Sequence, residues 1–85
     1  MTRPQEVRHE ALLQLYGAGQ LALSADHVQK VAKRGGFDYT LQEVKDALFF
    51  LEGQELARQL TERSTGEVRY QITSKGMLEW EAKQG

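Results

Sequence analysis

The stretch Thr40 to Ile72, TLQEVKDALFFLEGQELARQLTERSTGEVRYQI, decides the fold. Thr40 can accept a hydrogen bond from an orphan N–H at a helix start, and Glu43, three residues on, can reach back to it, the pattern of a capping box. Leu41, Val44, Ala47, Leu48 and Leu51 follow at steps of three and four, so at about 100° per residue they share one stripe that must face a core. Gly53, free to adopt a positive φ, is expected to end this helix. The period then changes to two. Leu56, Arg58 and Leu60 alternate with Ala57, Gln59 and Thr61, and Val68 to Ile72 alternate likewise. Between these strands Glu62 to Glu67, with Ser64, Thr65 and Gly66 inside, are turn formers. A helix followed by a β-hairpin is the unit onto which the rest must pack.

Before it, Pro4 suits a first helical turn, and Val7, Ala11, Leu12, Leu15 and Tyr16 keep a helical stripe until Gly17-Ala18-Gly19. Leu21-Ala22-Leu23 reads as a short extended piece. Ser24 reads as the N-cap of a second helix that turns Val28, Val31 and Ala32 inward and stops at Gly35-Gly36. Phe37 and Tyr39 are expected to anchor the connection on the core. After the hairpin, Thr73 or Ser74 can cap a last helix whose apolar members are Met77, Leu78, Trp80 and Ala82. The expected order is helix, strand, helix, helix, strand, strand, helix, an α+β class in one domain over residues 1–85.

Composition narrows the chemistry. The chain has 85 residues, 40% of them hydrophobic and 27% charged, as in ordinary globular domains. It has no cysteine, which excludes disulfides, thiolate nucleophiles and cysteine-ligated metals. No apolar run approaches the ~18 residues that span a bilayer, and Met1 to Glu6 lack the apolar segment of a secretory signal, so a cytoplasmic setting without a membrane is expected. His9 and His27 lie on different helices and complete no metal set. Gly17-Ala18-Gly19 lacks a phosphate-loop lysine, and Ser24 and Ser64 have no histidine base. No enzyme activity, metal or cofactor is expected. The net charge of −1 is unevenly spread: residues 1–36 carry +2, residues 37–57 carry −4, and residues 58–85 carry +1.

Two helices joined by a connector and followed by a hairpin resemble the winged helix, a three-helix bundle with a β-hairpin wing. Tyr70-Gln71-Ile72-Thr73-Ser74-Lys75-Gly76 is similar to the Tyr-x-Leu-Thr-x-x-Gly end of the third strand in bacterial regulators of the multiple-antibiotic-resistance and phenolic-acid-repressor type. The resemblance implies double-stranded DNA as partner, with the third helix in the major groove and the hairpin on the backbone. Carried onto this chain, it assigns base contacts to Gln42 and Lys45, phosphate contacts to Lys33 and Arg34, and wing contacts to Arg63 and Arg69. It implies a dimeric transcriptional regulator of a bacterium or phage.

Each residue also has a plainer reading. Lys33 and Arg34, with Lys30, can be a solvated helix face. Arg63 and Arg69 can pair across strands with Glu62 and Glu67. Gln42 and Lys45 can be exposed helix formers. Asp46 and Phe49 depart from the DNA pattern, because a carboxylate repels phosphate and a phenyl ring makes no hydrogen bond. Phe49 lies about 140° from Val44 on the helix, so it is expected to be exposed. These two open a second reading, in which Asp46, Phe49 and Trp80 serve protein association or dimerisation without DNA. Trp80 beside Met77 fits core or dimer packing.

Overall fold

Thr40 and Glu43 close both halves of the capping box: Thr40 Oγ1 accepts from the Glu43 N–H at 3.1 Å, and Glu43 Oε1 accepts from the Thr40 N–H at 3.0 Å. The helix they open is one of seven elements in a computed structural model that describes residues 1–84. Gly85, the last residue of the expected domain, lies outside the described residues. The elements are α1 (Arg3–Ala18), β1 (Leu23–Ser24), α2 (Ala25–Arg34), α3 (Leu41–Gly53), β2 (Ala57–Thr61), β3 (Val68–Ile72) and α4 (Ser74–Gln84), in the expected order.

A second expected cap also forms, and a third has a less common signature. Ser24 Oγ accepts from the His27 N–H at 3.2 Å at the start of α2. At the start of α1, Thr2 and Gln5 form another capping box, with Gln5 filling the role more often taken by Glu. The core takes Val7, Ala11, Leu12 and Leu15 from α1, Val28 and Ala32 from α2, and Val44, Ala47, Leu48 and Leu51 from α3.

The ends of α2 and α3 share one device. Phe37 N–H bonds the Ala32 carbonyl and Gly36 N–H bonds the Lys33 carbonyl, with Gly36 at φ 93°. In α3 the equivalent bonds run from Leu56 to Leu51 and from Glu55 to Glu52, so the left-handed residue is Glu55, at φ 64°. α3 ends at Gly53 as expected, but the positive φ falls at Glu55 and not at the glycine. The turn falls one residue before Leu56 because that side chain must enter the core at once, and the chain accepts a glutamate in an unfavourable conformation to place it there.

The strands form one antiparallel sheet in the order β1-β3-β2. Leu23 faces Tyr70, Ala57 faces Ile72, Gln59 faces Tyr70, Leu60 faces Arg69 and Thr61 faces Val68. The extended piece is shorter than expected, and Leu21 is exposed. In β2 the buried residue is Ala57, while Leu60 lies outside with Arg58 because the period of two puts both on the face opposite to Ala57.

Thr73 and Gly76 lock the last helix onto the exit of α3. The Thr73 N–H donates to the Leu56 carbonyl at 3.1 Å, its hydroxyl donates to the Glu55 carbonyl at 2.7 Å, and its Oγ1 accepts from the Gly76 N–H at 3.0 Å. A Cβ on Gly76 would lie 2.1 Å from the Leu56 oxygen and 2.8 Å from Ile72 Cγ1, so only glycine fits. Gly76, Met77 and Trp80 thus form the inner face of α4, and the other two apolar members, Leu78 and Ala82, are exposed because they sit on its other side. Trp80 is buried against His9, at 4.9 Å between ring centroids, and Tyr16, at 6.1 Å. Tyr16 also donates its hydroxyl to Glu81 at 2.8 Å. Tyr39 is a core anchor as expected, whereas Phe37 stacks on it from outside and remains half-exposed.

Candidate nucleic-acid interface

One side of α3 is held tightly. Arg3 Nη2 donates to Glu43 Oε1 at 3.0 Å and to the Asp38 carbonyl at 2.7 Å, and the Arg3 guanidinium lies over the Tyr39 ring at 5.3 Å. This hydrogen-bonded ion pair, helped by the Thr40 backbone N–H, pulls the Glu43 carboxyl down to about 2. One turn along α1, the Arg8 guanidinium sits 3.6 Å from the centroid of Phe50, a cation–π contact. α1 and α3 are therefore fixed along one seam, and the opposite side of α3 is left uncovered.

That uncovered side is centred on Gln42, Asp46 and Phe49, all exposed, with Phe49 at 70%. Gln42 Nε2 donates to Asp46 Oδ1 at 2.9 Å. Lys45 stands at its flank, exposed and without an ion pair among the described residues. Between this face and the hairpin lies a groove of about 480 Å³, with Gln42, Lys45, Asp46 and Phe49 on one wall and Val68 and Tyr70 on the other. Ser24, Ala25 and Asp26, at the start of α2, close its end, and Glu67 lies at its hairpin edge. Burial, with Glu52 nearby, raises the Tyr70 phenol above its ordinary value.

The candidate residues are not all gathered there. Gln42, Lys45, Asp46 and Phe49 share one surface. Lys33 and Arg34 occupy the last turn of α2, away from the groove, where their charge also complements the negative helix end. Arg63 is exposed at the hairpin turn, which is closed by a Glu62 N–H to Glu67 carbonyl bond of 2.8 Å and a Thr65 Oγ1 that accepts from the Glu67 N–H at 3.2 Å. Arg69 pairs with Glu67, just before β3 in the chain, at 3.0 Å, and not across to β2. Trp80 is 7% exposed and belongs to the core.

No family model matches this chain, and no curated protein does. Among solved structures it is similar to S. aureus MepR in the crystal structure of the MepR–DNA complex, with a TM-score of 0.75 and 21% identity. The match covers 99% of this chain, which spans 62% of the length of that one. The fold is a winged helix.

In winged-helix terms α2 and α3 are the helix-turn-helix pair, and β2 and β3 with their turn are the wing. Two features of the face emerge only from the folded chain. Val68 and Tyr70 are legible as the period-two partners of Ile72, yet their role as a groove wall needs the wing to fold back beside α3. Asp46, which the sequence sets against phosphate, is bonded to Gln42, and its spacing of four from that residue is the signal in the sequence for such a bond. No cluster of His, Asp or Glu side chains able to hold a metal occurs among the described residues, and none of the described helices is long and apolar enough to cross a membrane.

Proposed function

We propose that this chain is a winged-helix DNA-binding module of the transcriptional-regulator kind. The observation that carries the reading is the outer face of α3: it is exposed among the described residues, it presents Gln42 and Lys45, and the wing with Arg63 at its tip stands beside it. The MepR structure, a DNA complex on the same fold, supports it. Gln42 and Lys45 read base edges in the major groove, Arg63 and Arg69 meet the backbone from the wing, and Lys33 and Arg34 reach flanking phosphates from the end of α2. The resemblance in β3 adds that the module works as a dimer, in the cytoplasm, in bacterial or phage transcriptional control.

Replacing Arg63 and Arg69 together by Ala should weaken duplex binding and reduce its log–log salt slope by about one for each phosphate no longer engaged. Arg63 should account for more of that change, because Arg69 is already engaged by Glu67. An unchanged slope would remove the wing from the interface.

A second reading is favoured by one observation, the 70% exposure of Phe49 beside Asp46. In it the face of α3 receives a protein and not DNA, and Phe49→Ala abolishes a complex or a dimer with little loss of fold stability.

A further inference from the structure

Asp46 is the residue least suited to a DNA-facing helix, and its geometry gives it a use. A carboxylate only accepts, so its 2.9 Å hydrogen bond with Gln42 fixes which end of the Gln42 amide points at it: the nitrogen. One N–H is consumed. What remains for a ligand is the other N–H and Oε1, one donor and one acceptor at the centre of the uncovered face of α3.

That remaining pair complements one base edge best. Adenine presents an acceptor at N7 and a donor at N6 in the major groove, so both groups are satisfied together; guanine presents two acceptors, N7 and O6, and would leave Oε1 facing an oxygen. We propose that Asp46 is a positioning residue that presets Gln42 to read an adenine in the major groove. This rests on the DNA-binding reading above. An unrestrained glutamine must be ordered on binding, and one held in advance loses less side-chain freedom. The carboxylate also opposes indiscriminate attraction to phosphate, so it trades general affinity for selectivity at one base pair.

The test starts from a duplex selected by the full chain from a randomised pool, in which each A·T pair is then changed to G·C and each adenine to 7-deazaadenine, which lacks N7. The chain should lose roughly tenfold in affinity at one adenine by either change. Asp46→Ala should lose that discrimination. Asp46→Asn, whose amide can donate to Gln42 Oε1 as readily as accept from Nε2, no longer fixes the Gln42 amide and should lose it as well. In the free protein the Gln42 side-chain amide resonances should move in both variants. If both variants bind every duplex more tightly and keep the adenine preference, Asp46 is only a repelling charge and the proposal fails. A chain that binds duplexes with no preference at any adenine also overturns it, while leaving the DNA reading intact. A chain that binds no duplex overturns the DNA reading and this one with it.

Discussion

Just past the end of α3, Leu56 is met so closely by α4 that no Cβ fits on Gly76, whereas on the outer face of α3 Phe49, Gln42 and Asp46 are exposed. The first region is held by chain-distant contacts: two hydrogen bonds from Thr73, to the carbonyls of Leu56 and Glu55, and the burial of Trp80 on α1. The second is held by almost nothing beyond its own helix, and an exposed aromatic is retained where a polar residue would be easier to solvate. The residues of the two regions are therefore constrained differently. Around Gly76 they answer to the packing of this chain, and around Phe49 the packing of the described residues sets no such demand.

Gly76→Ala should produce the largest effect. Its Cβ would meet backbone rather than a flexible side chain, so α4 must lift from the α3 exit, and urea denaturation should show a loss of ~3 kcal/mol or more. A loss below ~1 kcal/mol would mean that the junction is loose and would erase the contrast.

Acid should have a smaller effect, on the seam that leaves the outer face free. The Glu43 carboxyl is lowered from 4.5 to about 2 by Arg3, so the stability this pair adds is fully present above about 4.5 and is lost as pH falls toward 2. Because both side chains are partly exposed, solvent screening keeps the contribution modest. Thermal unfolding followed between pH 5 and pH 2 should fall less steeply in Glu43→Gln than in the original chain, and parallel curves would mean that the pair adds nothing to the seam.

Phe49→Ala should have the smallest effect on stability, within about 0.5 kcal/mol, because little surface is lost from the core. A loss of several kcal/mol would place Phe49 among the packed residues, where large-to-small changes are costly.

Much of this fold is legible in the chain because its signals are short-range. The capping box at Thr40 and Glu43, the stripe from Val44 to Leu51 and the turn from Glu62 to Glu67 each depend on partners a few residues away. What stays hidden depends on residues far apart. Glu55 takes a left-handed conformation because Leu56 must reach the core. Leu78 and Ala82 are exposed because Gly76 and Trp80 decide which face of α4 turns inward. The site is partly legible for the same reason. The exposure of Phe49 follows from helical geometry alone, but the groove that it borders exists only once the wing lies beside α3.

Whether the outer face of α3 and the wing tip meet DNA can be decided by a two-dimensional amide NMR titration of the labelled chain. The ligand is a mixed-sequence duplex of ~20 base pairs, at low and at physiological salt. Shifts centred on Lys30 to Arg34, on Gln42 to Phe49 and on the turn at Arg63, weakening as salt rises and sparing α4, are the predicted result. Absence of shifts on that face even at low salt, or shifts spread evenly over the molecule, would contradict it.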